Sequence, residues 1–374
     1  MVKTKVFAAY LPQYHEIEEN NRFWGKGFTD WVGVKNARPQ FAGHRQPRVP
    51  LDNNYYDLSQ VENLRWQAKL AKEAGLAGFN IYHYWFKGGH RVLQKPAELF
   101  LENKDIDINF YFSWDNTSWI RSWSNIVGNP WAPLFDNGGQ QTDTSSPYLL
   151  EMDYEDEEAW TNHYRYLSRF FKDNRYYKID GKPVFAFMRA YQPETLQQMV
   201  ACWDRLAKQD GLAGVYCLTQ AKILHSPCIL DAQFLYEPRF SVWGRREAVE
   251  DRLKKYIGLK LPQCGPVRFR YDYEKAWRSI IKNAKKYVNQ AMFYSGLVAY
   301  DDTPRRGNRA RIIVNDNPYI YEKYLRELYK ISCANNKEFM LLTAWNEWGE
   351  GAYLEPDTEN GNAYLEATKR ALTD

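Results

Sequence analysis

Residues 339–357 read Phe-Met-Leu-Leu-Thr-Ala-Trp-Asn-Glu-Trp-Gly-Glu-Gly-Ala-Tyr-Leu-Glu-Pro-Asp. The first six form a short apolar run, which predicts a strand buried on both faces. Two glutamates, Glu347 and Glu350, follow this run among two tryptophans. The glycines at 349 and 351 let the chain turn, so both carboxylates can face one pocket, although a straight strand would point them to opposite sides. A buried strand that ends in paired carboxylates and aromatic rings is typical of the mouth of a (β/α) barrel.

Seven earlier apolar runs repeat this pattern, and helical patterns separate most of them. The predicted strands are 6–11, 78–82, 106–112, 183–188, 214–218, 232–236 and 292–298, with the eighth at 339. The predicted helices are 59–74, 93–103, 155–173, 193–209, 318–334 and 362–372. Alternating strands and helices favour a parallel sheet, and eight repeats favour a closed (β/α)8 TIM barrel of the α/β class. An open doubly wound sheet is less favoured, because neither G-x-G-x-x-G nor a P-loop motif occurs.

We predict a single catalytic domain over residues 1–374, because the sequence shows no repeat, no low-complexity segment and no clear linker. Two long stretches interrupt the alternation, at about 120–153 and about 243–278. The first is rich in Gly, Asn, Ser and Pro, and the second is basic and irregular with helical patches. Insertions of this length are usually lids or binding loops.

Composition and charge narrow the class of function. The chain has 374 residues, of which 16% are aromatic, and its net charge of +4 is too weak to argue for nucleic acid. The five cysteines lack C-x-x-C spacing and the six histidines lack H-E-x-x-H, so we expect no disulfide framework, metal or cofactor. No apolar run reaches about 18 residues, so no membrane span is expected. The absence of a signal-peptide pattern predicts a cytoplasmic protein, or a periplasmic one if a signal has been removed. The sequence makes no prediction of oligomeric state.

Polar and aromatic residues collect just after the apolar runs, where a barrel brings strand ends together around one rim. Flat rings stack on the CH faces of sugars, and carboxylate, amide and imidazole groups bond sugar hydroxyls. Cleavage of a glycosidic bond needs one protonated and one ionised carboxyl group, and Glu347 and Glu350 are the candidate catalytic pair. Taken singly, His83 could equally be a core histidine and Asp301 a turn cap. The predicted contacts to a poly- or oligosaccharide are Tyr10, His15, Trp31, Tyr82, His83, Trp85, Trp114, Asp115, Arg189, Glu237, Asp301, Trp345, Asn346 and Trp348.

Five segments match one known family. They are Tyr-Leu-Pro-Gln-Tyr-His at 10–15, Trp-Gly-Lys-Gly-Phe-Thr-Asp-Trp at 24–31, His-Tyr-Trp-Phe at 83–86, Asp-Asp-Thr-Pro-Arg-Arg at 301–306, and residues 344–357. In these segments the chain resembles the WbsX-like proteins of bacterial polysaccharide loci, often labelled glycosyltransferases. Those proteins are similar to glycoside hydrolase family 99, the endo-α-1,2-mannosidases and mannanases.

The resemblance implies a (β/α)8 barrel and a retaining mode of action on an α-mannoside or rhamnoside. Carried over from that family, Glu347 would be the base that takes the proton of the sugar 2-hydroxyl, giving a 1,2-anhydro intermediate. Glu350 would be the acid that protonates the leaving oxygen and then the base that activates water.

Two segments depart from the family pattern. Where the family has Trp-Ala-Asn-Glu-Asn-Trp, this chain has Trp-Asp-Asn-Thr-Ser-Trp at 114–119, so Thr117 replaces a glutamate. After the sixth strand it has Tyr-Glu-Pro-Arg at 236–239 instead of a Phe-Pro-Pro type segment. Both departures fall on the rim, so they bear on the identity of the sugar. A glycosyltransferase is the alternative function, although the nearest D-x-D, Asp105-Ile-Asp107, lies just before a buried run. A carbohydrate-binding barrel without turnover is a third.

Overall fold

The computed structural model describes residues 3–120, 148–221, 228–243, 269–288 and 291–373. Eight parallel strands form a barrel in these ranges. Each pairs with the next along the chain, and the last pairs with the first. The seventh strand has two pieces, of which the first pairs with the sixth strand and the second with the eighth. The predicted barrel is therefore confirmed. Its strands are β1 Lys5–Tyr10, β2 Gly78–His83, β3 Asn109–Trp114, β4 Lys182–Phe187, β5 Tyr216–Gln220, β6 Ala232–Phe234, β7 Met292–Phe293 with Ser295–Leu297, and β8 Phe339–Thr343.

Helices surround the barrel and begin where capping chemistry predicts. Pro193 and Pro318 open two of them, since proline lacks only an N–H that is unbonded at a helix start. The side chains of Asp156 and Asn317 accept hydrogen bonds from the first turn of their helices. The helices are α1 Glu18–Trp24, α2 Asp30–Asn36, α3 Val61–Glu73, α4 Lys95–Glu102, α5 Glu157–Phe171, α6 Pro193–Gln209, α7 Tyr273–Lys286, α8 Thr303–Arg306, α9 Pro318–Ala334 and α10 Ala363–Thr373.

Aromatic rings fill the barrel at the amino-terminal ends of the strands. The Phe339 ring lies 5.9 Å from that of Phe7 and 4.1 Å from that of Phe293, and Tyr111 lies 5.1 Å from Phe7. An added Cβ on Gly78 would stand 2.1 Å from the carbonyl oxygen of residue 109, so this position needs glycine. Because side chains alternate along each strand, neighbouring residues point outward and pack under the helices. The interior is closed at this end, so a substrate site can open only at the other.

The two predicted insertions contain more regular structure than the sequence suggested. Residues 121–147 and 244–268 lie outside the described ranges. At the margins of the first, Trp119–Ile120 pairs antiparallel with Tyr148–Leu150. At the end of the second, strand Phe269–Asp272 pairs with Arg311–Val314 and leads directly into α7. The sequence analysis described this region as irregular with helical patches: the helix from Tyr273 agrees with those patches, whereas the strand was not predicted, because pairing with a distant segment is not visible in local sequence.

Candidate active site

Glu347 and Glu350 lie on a tight turn directly after β8. A 3-10 turn spans Trp348–Glu350, and Gly351 follows in the left-handed conformation with φ of 57°. Glycine adopts this conformation at little cost. The turn directs both carboxylates toward one guanidinium group, that of Arg305 in α8.

Arg305 stands at the centre of the site. Its Nη2 atom lies 3.0 Å from Oε2 of Glu347, and its Nη1 atom lies 2.8 Å from Oε1 of Glu350. Nη2 also lies 3.3 Å from Oδ2 of Asp30 in α2. The Arg305 side chain is 6% exposed. One buried cation therefore faces three carboxylates, and the planar group holds the two glutamates at a fixed separation.

The pKa of Glu347 is raised to about 8, chiefly by burial; Arg305 opposes the rise, and the negative charges of Glu350 and Asp30 add to it. Glu347 is 5% exposed, whereas the Glu350 side chain is 28% exposed. At neutral pH this raised pKa favours the protonated form of Glu347. Two carboxyl groups with one proton are what acid–base cleavage of an acetal requires.

A second layer fixes the turn itself. The backbone N–H of Gly349 donates to Oδ2 of Asp30 at 3.0 Å, and that of Trp348 donates to the Tyr14 hydroxyl at 3.1 Å. The Tyr14 hydroxyl in turn bonds the carbonyl oxygen of Asn346. Asp30 and Tyr14 therefore hold both Arg305 and the backbone between the glutamates.

Tyrosine rings stand beside the pair. Tyr82 at the end of β2 and Tyr236 after β6 share a hydrogen bond between their hydroxyls. Burial raises the pKa of Tyr236, and the charges of Glu347 and Glu350 raise it further. Burial also raises the pKa of Tyr84, and the negative charges of Asp115 and Glu347 add to that rise. Of the predicted contact residues, Tyr82 feels the charges of both Glu347 and Glu350, which add to the effect of burial in raising its pKa.

Asp301 holds the backbone of the turn that carries the glutamate pair. Its backbone N–H donates to the carbonyl oxygen of Glu350 at 2.6 Å. Its carboxylate is buried and accepts hydrogen bonds from His44 at 2.8 Å and Gln46 at 2.7 Å, and these partners lower its pKa against the effect of burial. The predicted sugar contact does not fit this position, because both carboxylate oxygens already have protein partners.

Three predicted contacts on the last motif are fully buried. Asn346 accepts a hydrogen bond from the backbone N–H of Leu11 at 2.7 Å and donates to its carbonyl oxygen at 3.0 Å. Trp348 donates from Nε1 to Glu355 at 2.6 Å, and Trp345 packs against Phe79 in the outer layer. These side chains position the turn and have no free face for a sugar.

Four other predicted contacts point away from the barrel interior. Tyr10 donates to Gln67 of α3 at 2.7 Å. His83 bonds His163 of α5 at 2.8 Å, and burial lowers its pKa to about 3. Trp85 stacks on the same His163 with ring centroids 4.1 Å apart, and Trp114 donates from Nε1 to the backbone carbonyl of residue 85 at 3.1 Å. The prediction that these four residues contact the substrate is wrong, because their side chains point away from the barrel interior. Side chains alternate along a strand, so His83 lies on the opposite face from the inward-pointing Tyr82, and Trp114 on the opposite face from Asp115.

Three more predicted contacts are packed into the protein. His15 is 4% exposed, and burial lowers its pKa. Trp31 donates from Nε1 to the carbonyl oxygen of residue 56 at 2.8 Å and packs on Trp348. Glu237 is fully buried and accepts from both the backbone N–H and the hydroxyl of Ser241, while burial raises its pKa to about 7. The hydrogen bonds of Trp31 and Glu237 tie these two side chains to other parts of the protein.

Asp115 and Arg189 remain on the rim, after β3 and β4. Asp115 is half-buried and accepts a hydrogen bond from Thr117. Arg189 is also half-buried, and its guanidinium carbon lies 5.7 Å from the centre of the Tyr191 ring. Burial raises the pKa of Asp115, against the opposing effects of the Thr117 hydrogen bond and the positive charges of Arg189 and Arg239.

The sequence analysis did not select Arg305, Asp30, Tyr14 and Tyr236, which complete the site. All four lie in or beside segments that it had singled out, at 10–15, 24–31, 236–239 and 301–306. A buried arginine needs carboxylate partners, and the glutamates of the last motif were the obvious candidates. In the described part of the chain no cluster of histidine, cysteine, aspartate and glutamate is suited to a metal ion. Nor is any helix of those ranges long and apolar enough to span a membrane.

An eight-stranded barrel with a buried glutamate pair at the carboxyl ends of its strands has the architecture of the carbohydrate-active barrel enzymes. The chain belongs to the WbsX family: the model of that family, described as glycosyltransferase WbsX, matches residues 6–368. The uncharacterized protein WxcX of Xanthomonas campestris pv. campestris, strain B100, is 30% identical over 379 residues, covering 98% of this chain and 49% of that protein. This chain spans about half the length of the curated relatives it matches.

Solved structures show the same fold at low sequence identity. A glycoside hydrolase-like protein superposes with a TM-score of 0.62 at 13% identity, covering 100% of this chain and 95% of that one. The GH99 endo-alpha-mannosidase from Bacteroides thetaiotaomicron gives a TM-score of 0.58 at 14% identity, covering 100% and 98%. The predicted resemblance to the WbsX-like proteins and the similarity of the fold to family 99 are thereby confirmed.

Proposed function

We propose that this chain is a retaining glycoside hydrolase that cleaves a bond in a poly- or oligosaccharide, an α-mannoside or rhamnoside, with participation of the sugar 2-hydroxyl. The observation that carries the proposal is the bridge from Glu347 through Arg305 to Glu350. It holds two carboxyl groups at a fixed separation on a rim that also carries Tyr82 and Tyr236. The fold shared with glycoside hydrolases supports it.

The proton of the pair has to move before the bond breaks. In the implied roles Glu347 takes the 2-hydroxyl proton and Glu350 protonates the leaving oxygen. In the unliganded site burial favours the protonated form of Glu347. Substrate binding must therefore leave Glu347 ionised and Glu350 protonated, and Arg305, 3.0 Å from Glu347, favours the ionised form of Glu347.

The test is release of reducing ends from α-mannan and rhamnan oligosaccharides in the absence of any nucleotide sugar. Glu347→Gln and Glu350→Gln should each lower the rate by about 10²–10⁴ while keeping ligand bound. Glu338→Gln is the matched control, because Glu338 is exposed at the opposite end of β8. Retention of anomeric configuration is read by proton NMR of the first product. Full activity in both glutamine variants, or an inverted first product, would exclude the proposal.

A glycosyltransferase is the second candidate, and the family description favours it. The same pair would serve a retaining transfer if a sugar hydroxyl replaced water in the second step. Adding acceptor sugars to the same incubation separates the two functions. Longer products that form only with a nucleotide sugar indicate transfer, and shorter products formed without one indicate hydrolysis.

A further inference from the structure

Glu355 is a buried carboxylate, 3% exposed, to which the proposed reaction gives no role. Its Oε2 atom accepts hydrogen bonds from Nε1 of Trp348 at 2.6 Å and from the hydroxyl of Tyr56 at 2.8 Å. Its Oε1 atom accepts a hydrogen bond from Nε2 of Gln67 at 2.7 Å. In the described ranges no lysine, arginine or histidine nitrogen lies within 4.0 Å of these oxygens. Neutral donors alone therefore stabilise the ionised form of Glu355.

One of these donors, Trp348, opens the 3-10 turn that leads from Glu347 to Glu350. Its ring stacks on that of Tyr353, with the ring centroids 3.7 Å apart and an angle of 13° between the planes. A hydrogen bond to a charged group contributes about 1.5–3 kcal/mol. Any orientation of the turn that takes the indole away from Glu355 loses this contribution and leaves a buried charge short of a donor. The bond therefore favours one direction of the turn over the others.

The other two donors belong to distant parts of the chain. Gln67 lies in α3, and its Oε1 atom accepts a hydrogen bond from the hydroxyl of Tyr10 in β1 at 2.7 Å, which fixes the orientation of the amide. The Tyr56 hydroxyl also accepts a hydrogen bond from Nδ2 of Asn346 at 3.4 Å. Glu355 thus connects the turn after β8 to α3 and, through Gln67, to β1.

The charge state of Glu355 agrees with these partners. Burial raises its pKa to about 7, against the opposing effects of the hydrogen bonds from Trp348, Tyr56 and Gln67. Above that pH the ionised form prevails, and an ionised carboxylate only accepts hydrogen bonds. Because all three partners offer an N–H or O–H group, the ionised side chain satisfies each of them.

We propose that Glu355 is a positioning residue: its carboxylate joins Trp348 to α3 and thereby directs Glu347 and Glu350 toward Arg305. Glu347 precedes Trp348 in the chain and lies 3.0 Å from Arg305, so a rotation of the indole would change that distance. A misplacement of about 1 Å in an active site costs about 10²-fold in rate. The effect on the rate rests on the proposed function, whereas the effect on the position of Glu347 does not.

The first measurement is the titration of the Glu347 carboxyl by carbon-13 NMR, with Glu347→Gln to assign the signal. Glu355→Gln and Glu355→Leu both remove the negative charge of residue 355. The glutamine oxygen can still accept from Trp348, and its amide can donate to Gln67 once that amide turns over, whereas leucine keeps neither bond. Glu347 should therefore titrate roughly 0.5 pH unit or more lower in the leucine than in the glutamine variant, because burial is the chief cause of its raised pKa and a displaced turn admits water.

The second measurement is steady-state kinetics at about pH 8 with an oligosaccharide that the wild type cleaves. In Glu355→Leu, kcat should fall roughly 10–100-fold while KM stays within about twofold, since the chemistry and not the binding of the sugar depends on the turn. In Glu355→Gln, kcat should stay within about fivefold of wild type. Gln67→Met removes the donor of α3 without touching the turn, so it should change both measurements in the same direction by less. It also tests the inference if the leucine variant does not fold.

Asp173→Asn is the matched control, because Asp173 is a buried carboxylate between α5 and β4, at the opposite ends of the strands, where Arg175 bonds it at 2.9 Å. It should lower the melting temperature but leave kcat within about twofold of wild type and the Glu347 titration unchanged. Equal Glu347 titrations in the leucine and glutamine variants overturn the inference, and so does a loss of kcat in Glu355→Leu no larger than in the control. If the wild type shows no turnover but the two titrations still differ, the hydrolase is refuted and the positioning role stands.

Discussion

Replacing Arg305 with glutamine removes the guanidinium group that three carboxylates share. The Arg305 side chain is 6% exposed, and Asp30 and Glu347 are 4% and 6% exposed. Removing one member of a buried ion pair costs about 3–5 kcal/mol, because the remaining charge has neither water nor a partner. With an unfolding entropy of about 2 cal/mol/K per residue, this corresponds to a fall of roughly 5 °C in the melting temperature.

The stability lost in the Arg305→Gln variant should increase as the pH rises. Burial already raises the pKa of Glu347 to about 8, and Arg305 opposes that rise. Without Arg305 the pKa of Glu347 rises further. A carboxyl group with a higher pKa in the folded than in the unfolded state contributes less stability as pH rises, because the unfolded chain gives up the proton first. The variant should therefore lose more stability near pH 9 than near pH 5.

Thermal unfolding followed by circular dichroism at both pH values checks this expectation. Arg309→Gln is the matched control and should be within about 0.5 kcal/mol of wild type, since its side chain is exposed. Arg305→Lys should fall between the two, because lysine keeps the charge but cannot bridge both glutamates. An Arg305→Gln protein as stable as wild type at both pH values would refute the reasoning.

Three further outcomes follow from the same structure. Asn346→Ala should lower the free energy of unfolding in guanidinium chloride by about 2–3 kcal/mol, because both backbone groups of Leu11 lose their partner. The stability of the wild type should fall as pH drops from 6.5 toward 3, since folding keeps His83 neutral with a pKa of about 3 while the unfolded chain takes up a proton; His83→Leu should reduce that slope by up to about 1.4 kcal/mol per pH unit. In Glu350→Gln, carbon-13 NMR should show the Glu347 carboxyl titrating below pH 8, because a negative neighbour has gone; an unchanged titration would argue against the coupling.

The barrel could be predicted from sequence because its signal is local. Apolar runs followed by polar residues mark each strand end, and α6 and α9 occupy the predicted ranges 193–209 and 318–334. What could not be predicted is the face of each strand. Tyr82 points to the glutamates and His83 points to α5, yet a parallel barrel buries both faces, so hydrophobicity does not distinguish them.

The composition of the site was only partly predictable for a different reason. The motif containing Glu347 and Glu350 is contiguous, and it identified the candidate pair. Arg305 meets Asp30 from 275 residues away, and such a pairing depends on barrel closure. A single sequence records the charges but not their distances. Asp301 and Glu237 were predicted as sugar contacts because they are acidic residues near strand ends, but both are hydrogen-bonded to other residues of the protein.

The pair of hydrogen bonds between Asn346 and Leu11 joins positions 335 residues apart. Ribosomes add about 5–20 residues per second, so the first strand waits on the order of 20–60 s for its last partner. During that time the turn that carries Glu347 and Glu350 has not been synthesised, and the backbone groups of Leu11 lack their hydrogen-bond partner Asn346. A chain assembled in this way therefore lacks the turn that carries Glu347 and Glu350 until its last strand has been made.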